Sequence, residues 1–246
     1  MERDGLVFEI RASPRPGVAR TYVLVPGVGM THRSMARLHA QLSTDAAVYT
    51  LDLPGFASLP APRRDVSVQQ MADALAAVLD GESISDAVLV GHSMGAQWVI
   101  ELALRRPDLA SHVVAIGPVV DDRHRSLGAQ ALALGIDATR ESVHANLIVI
   151  TDYLRCSLRW YLAQVRHMLA YRTQRRARML RHPVLLVRGD RDPVCGQDWL
   201  RRLRDAVPGS RLIVVPRRSH HVEHQAPGAV AAGIRAFVAE EVQGRA

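Results

Sequence analysis

Short apolar runs recur along the chain. Each is closed by a glycine- or proline-bearing turn, and most are followed by apolar residues at helical spacing. Residues 21–25, 46–51, 87–90, 112–116, 183–189 and 212–215 read as strands, and residues 6–10 as an edge strand before the turn Ser13-Pro-Arg-Pro-Gly17. The segment 67–79 reads as a helix. Ser67 and Gln70 make a capping box, Met71, Leu75, Val78 and Leu79 form its buried stripe, and Gly81 ends it. Strands alternating with helices in this way predict an α/β fold, a mostly parallel central sheet flanked by helices on both faces.

The strand rhythm stops after Gly117 and returns at Pro183. The intervening patterns are helical, and roughly sixty residues are too few for an independent domain of ordinary size. The expected organisation is therefore a core of residues 1–117 and 183–246 with a helical cap or lid formed by residues 118–182. In its clearest helix Leu158, Tyr161, Leu162, Val165, Met168 and Leu169 fall on one face, while Arg159, Arg166 and Arg172 face away. Tyr153, Trp160 and Tyr161 are candidates to line an acyl or aryl pocket. Core burial is the competing reading, because aromatic residues bury large area wherever they can.

The chemistry centres on residues 86–105, where an apolar run meets Gly91-His92-Ser93-Met94-Gly95 and then a helical pattern carrying Trp98, Leu102 and Arg105. A serine between two glycines sits on a turn that lifts its hydroxyl to the sheet edge and the helix N-terminus. Here the chain resembles the α/β-hydrolase superfamily, whose nucleophile elbow is Gly-x-Ser-x-Gly. The resemblance covers nearly the whole chain and implies the α/β-hydrolase fold, with a helical cap inserted where the strand rhythm stops and Ser93 as nucleophile. Pro26-Gly27-Val28-Gly29-Met30 stands where the family has His-Gly-x-Gly, which implies an oxyanion hole from the backbone N–H groups of Val28 and Met94; Pro26 replaces the usual histidine. Asp52-Leu53-Pro54-Gly55-Phe56-Ala57-Ser58 resembles the family turn Asp-x-Pro-Gly-x-Gly-x-Ser, with Ala57 at a glycine position.

Gly189-Asp190-Arg191-Asp192-Pro193 is similar to the family's Gly-x-x-Asp-Pro, which implies Asp192 as the triad acid. Asp190, or an acid after the preceding strand at Asp121 or Asp122, remains open. His220, seven residues before Pro227, matches the family's Gly-His-x-x-x-x-Glu-x-Pro with Ser219 and Gln225 substituted, so it is implied as the general base, with His221 the alternative. Serine, acid and histidine follow one another in the order the family uses.

With 246 residues, 48% of them hydrophobic, the chain can bury one sizeable core. Its net charge of +7 comes entirely from arginine, since lysine is absent. The run Arg172, Arg175, Arg176, Arg178 and Arg181 is expected to be a solvated helix face. A 4% aromatic content without a recognisable module argues against nucleic-acid binding. No stretch resembles a membrane span, and Glu2, Arg3, Asp4 and Glu9 occupy the place of a signal-peptide apolar core, so a cytoplasmic location is expected. Cys156 and Cys195 have no C-x-x-C partner and are expected as free thiols.

His220, Glu223 and His224 also satisfy the zinc pattern His-x-x-Glu-His, but the preceding strand and the helix start near Pro227 place them in a connection. Neither metal nor organic cofactor is expected. The expected activity is hydrolysis of a carboxylic ester or lactone of a small-molecule acyl substrate. Gly-His-Ser-Met-Gly-Ala also resembles the elbow of type II thioesterases, so acyl thioester hydrolysis is an alternative, as is carbon–carbon bond hydrolysis. A ligand-binding protein without hydrolytic activity is the competing class. Serine at position 93 argues against epoxide hydrolase or dehalogenase chemistry, in which relatives place aspartate there. No pattern in the chain specifies an oligomeric state.

Overall fold

The computed structural model describes residues 1–56, 58–123, 126–140 and 143–243; Ala57, at the family's glycine position, lies outside them. The chain opens with a ribbon of β1 (Glu2–Arg3) and β2 (Leu6–Val7), followed by β3 (Glu9–Ser13), β4 (Thr21–Val25), α1 (His32–Leu42), β5 (Ala47–Asp52), α2 (Val68–Gly81), β6 (Ala87–His92), α3 (Met94–Arg105) and β7 (Ala110–Ile116). Four helices come next: α4 (Leu127–Ala138), α5 (Val143–Leu154), α6 (Leu158–Ala170) and α7 (Thr173–Ala177). The sheet resumes with β8 (Val184–Gly189), α8 (Gln197–Ala206), β9 (Arg211–Val215), α9 (Val222–Gln225) and α10 (Pro227–Gln243).

The seven-stranded sheet runs in the order β3-β5-β4-β6-β7-β8-β9. Only β3 is antiparallel, pairing with β5 from Glu9↔Asp52 to Ser13↔Val48. Strand alternation divides the core into two layers. Val23, Leu89, Val113 and Leu186 point to the side of α2, α3 and α8, whereas Tyr22, Val88, Val114 and Leu185 point to the side of α1 and α10. The capping box at Ser67 and Gln70 forms as expected.

The edge strand lies three residues later than the apolar pattern predicted. Residues 1–8 turn back on themselves through Asp4 and Gly5, both with positive φ, and bury Leu6 and Phe8 without joining the large sheet.

The leucines of α6 require a correction too. Leu158 and Leu162 are 70% and 49% exposed, and the buried face is instead Trp160, Gln164, Val165 and Met168. Spacing could not separate the two faces, because Gln164 counts as polar in any pattern. It is buried because its amide donates to the Val66 carbonyl at 2.9 Å.

Buried polar contacts tie the α4–α7 segment to α3. The Gln97 side-chain amide donates to the carbonyls of Val119 and Met168 and to the Thr173 hydroxyl. Glu101 accepts a two-pronged contact from Arg176, at 2.9 Å on each oxygen, and a 3.0 Å bond from the Tyr171 hydroxyl. Arg176 is thus not part of a solvated face. A fully buried carboxylate needs a cation with matching geometry, and the guanidinium fork supplies it.

Candidate active site

Strand β6 delivers Ser93 at its carboxyl end, where the residue takes φ 55° and ψ −119°, a strained conformation for a non-glycine side chain. The neighbouring backbone allows it only because residues 91 and 95 are glycine. A Cβ at Gly91 would stand 2.3 Å from the Gly95 carbonyl oxygen, and one at Gly95 would stand 2.2 Å from the Val25 oxygen. The Ser93 N–H is held by the Ile116 carbonyl at 2.8 Å. Beside the elbow, the turn after β4 closes on itself through Met30 N–H to the Gly27 carbonyl, 3.1 Å. Among the described residues the N–H groups of Val28 and Met94 donate to no acceptor.

Of the acids left open by the sequence, Asp192 meets a histidine. Its Oδ2 lies 2.9 Å from His220 Nδ1, and its Oδ1 accepts the N–H groups of Val194 and Cys195, both at 2.8 Å. Asp190 instead accepts the Arg218 N–H, and Asp121 pairs with Arg202. Gly117, with φ 52°, leaves the pair its space, since a Cβ there would lie 2.9 Å from His220 Cε1. With Nδ1–H donating to Asp192, Nε2 is the bare nitrogen of the neutral ring. It is buried and has no partner among the described residues.

Burial alone would raise the Asp192 carboxyl, but the facing His220 and three hydrogen bonds hold it below the ordinary carboxylate range. For His220, burial pulls downward and is outweighed by Asp192, Asp137 and Glu223, which push the imidazole above the usual histidine value. Three further buried groups surround this pair. His92 donates through Nε2 to the His220 carbonyl at 3.2 Å, and burial lowers its pKa to about 3. His221 Nδ1 lies 3.2 Å from Glu223 Oε1. His92, His221 and Glu223 bring potential metal-ligand atoms within 4.8 Å of one another. This is a different set from His220, Glu223 and His224, because His220 is turned to Asp192.

Ser93, Val28, His92, His220 and His221 share the wall of one cavity of about 160 Å³. Tyr153, Tyr161, Val165 and Met168 close its other side, so both tyrosines expected at a pocket stand there. Trp160 does not. One residue is about 100° of helix rotation, and Trp160 is turned away from the cavity onto Gly55.

Two acids of the helical segment reach down to this wall. Asp137 Oδ1 accepts the His220 backbone N–H at 2.9 Å. Asp152 Oδ2 accepts the Thr31 N–H at 3.0 Å and its hydroxyl at 2.7 Å, one residue beyond the Pro26–Met30 loop. Neither acid belongs to a motif. The only trace in the sequence is an isolated acid inside an otherwise apolar helical stretch.

The profile of the Alpha/beta hydrolase family matches residues 22–233. An uncharacterized hydrolase, YugF, of Bacillus subtilis is 32% identical over 114 residues, 46% of this chain and 41% of that protein. The chain therefore aligns with less than half of that relative. Among solved structures, an enol-lactonase from Burkholderia xenovorans LB400 superposes with a TM-score of 0.81 at 21% identity, covering 96% of this chain and 98% of the other. An esterase from Exiguobacterium antarcticum superposes with a TM-score of 0.81 at 14% identity, covering 96% of both chains.

The His92 environment has a thermodynamic consequence. Its native value near 3 lies below the unfolded value of about 6.5. As pH falls below 6.5 the unfolded chain takes up a proton that the native protein refuses, and stability drops. His92→Gln keeps a donor for the His220 carbonyl without that group. Between pH 6.5 and 4.5 its unfolding free energy, from denaturant titrations, should fall less steeply than the wild type's, by up to about 1.4 kcal/mol per pH unit. Parallel curves would contradict this assignment.

Proposed function

The chain belongs to the alpha/beta hydrolase family, and we propose that it is a serine hydrolase cleaving a carboxylic ester or lactone of a small apolar substrate through an acyl-enzyme. One observation carries the reading. His220 is fixed through Nδ1 on Asp192, while its unpartnered Nε2 belongs to a ring that shares a cavity wall with Ser93.

In this mechanism His220 Nε2 takes the Ser93 proton as the hydroxyl oxygen bonds to the substrate carbonyl carbon. The carbonyl π-electrons move onto oxygen, where the unoccupied N–H groups of Val28 and Met94 stabilise the charge. Collapse breaks the bond to the leaving oxygen, which receives the proton from His220 Nε2 and departs as an alcohol, or stays tethered when the substrate is a lactone. Water then attacks the acyl carbon, giving its proton to His220, and Ser93 regains a proton as the acid leaves. Asp192 holds the Nδ1–H tautomer throughout and stabilises the imidazolium.

The loop with Pro26 in place of histidine takes its support from the Gly27–Met30 turn and from Asp152 on Thr31. The cavity, about 160 Å³ and walled by Tyr153, Tyr161, Val165 and Met168, suits a small acyl or aryl group and is comparable to an apolar cavity that holds benzene. The activities of the two structural neighbours, a lactonase and an esterase, are compatible with this substrate class. Residues 118–182 serve here as the cap. Among the described residues no helix is long and apolar enough to cross a membrane.

A fluorophosphonate probe followed by peptide mapping tests the assignment. We expect one adduct, on Ser93, absent in Ser93→Ala and lost or nearly so in His220→Ala, with turnover of a p-nitrophenyl ester falling at least about 10⁴-fold in both. Absence of an adduct in folded wild-type protein, or labelling that survives Ser93→Ala, would refute it.

The pH profile gives a second test. The base acts as neutral imidazole, so kcat/KM should rise with pH through a midpoint above 6.5, the ordinary histidine value. Asp137→Asn retains an acceptor for the His220 N–H but removes a charge that raises the ring's pKa, so the limb should move to lower pH by about one unit. An unmoved limb would exclude electrostatic control by Asp137.

A further inference from the structure

Helix α6 borders two spaces. Tyr161, Val165 and Met168 face the cavity beside Ser93, whereas Arg159, Trp160 and Leu162 border an open groove of about 620 Å³ whose far wall, residues 61–65, carries Arg63 and Arg64. The acid on this groove is Asp65. It is occupied by Arg166 at 2.6 Å and His167 at 2.8 Å. Among the described residues Arg64 reaches only the Asp4 carbonyl, at 3.4 Å, and Arg63 and Arg159 meet no carboxylate.

Guanidinium groups on opposite walls of one concavity repel each other until an anion lies between them. Their planar forks match phosphate oxygens. Beside them the half-exposed Leu162, with Pro62 and Ala163, offers apolar surface, which a bare inorganic anion would leave unused.

We propose that this groove binds an amphiphile with a phosphate headgroup, its phosphate held by Arg63, Arg64 and Arg159 and its short apolar chain lying along Leu162, Ala163 and Pro62. The site is separate from the serine cavity, with α6 as the wall between them, and does not depend on the hydrolase reading.

Calorimetric titration with octyl phosphate, kept below its micelle-forming concentration, tests this against octanol and inorganic phosphate. Octyl phosphate should bind at one site, and each control at least about tenfold more weakly, as expected when charged contacts or chain burial are removed. Arg63→Ala/Arg159→Ala, which changes exposed side chains only, should weaken octyl phosphate binding at least about tenfold with an unchanged melting temperature. No binding by the wild type, equal binding by the arginine double variant, or octanol binding as tightly as octyl phosphate would overturn the proposal.

Discussion

A carboxylate removed from water keeps its charge only where hydrogen-bond donors and a cation or polarisable ring surround it. Asp192 is 3% exposed and meets that condition with two backbone N–H groups on one oxygen and His220 on the other. The arrangement fixes the His220 ring plane and tautomer together. It also constrains the neighbouring backbone: Gly117 cannot carry a side chain without striking the imidazole, and the His220 carbonyl is tied to His92, the residue preceding the elbow serine. The ends of β6, β7 and β8 thus meet at one buried carboxylate–imidazole hydrogen bond.

The helical segment takes part in this point. Asp137 holds the backbone N–H of His220 and Asp152 the backbone N–H of Thr31, so one segment grips the loops on both sides of the cavity. Further attachments, Gln97 to Val119, Met168 and Thr173 and Glu101 to Arg176 and Tyr171, fall on α3, the helix that follows Ser93. Buried polar groups demand specific partners, so these contacts specify where the segment sits, as apolar packing alone would not. In the proposed mechanism its apolar residues shape the substrate space, while its acids position the chain beneath.

Strand β4 spans the residues that the apolar run predicted, and α2 carries the predicted capping box, because both signals are local. The Gly91–Gly95 elbow was legible for the same reason: its steric demand involves adjacent residues and the strand beside it. The resemblance pointed to Asp192 ahead of Asp190, Asp121 or Asp122, but that its carboxylate faces a histidine 28 positions along the chain is a long-range contact that no local pattern carries. The roles of Asp137 and Asp152 left no motif, because each bonds to backbone that any residue could provide. Spacing misread α6 where Gln164 is buried by one amide contact and Leu158 is exposed, and of the aromatic pocket candidates Trp160 instead takes the competing reading, burial in the core.

The proposed chemistry requires a covalent acyl group on Ser93 during turnover. Rapid mixing with p-nitrophenyl acetate, acid quench and peptide mass mapping would detect it directly. The account predicts a burst of nitrophenol close to one equivalent per active site when deacylation is limiting, with the acetyl group on the Ser93 peptide and on no other, and its loss in Ser93→Ala. Turnover of the ester without an acylated Ser93 peptide at any quench time, under conditions where the burst is seen, would contradict it.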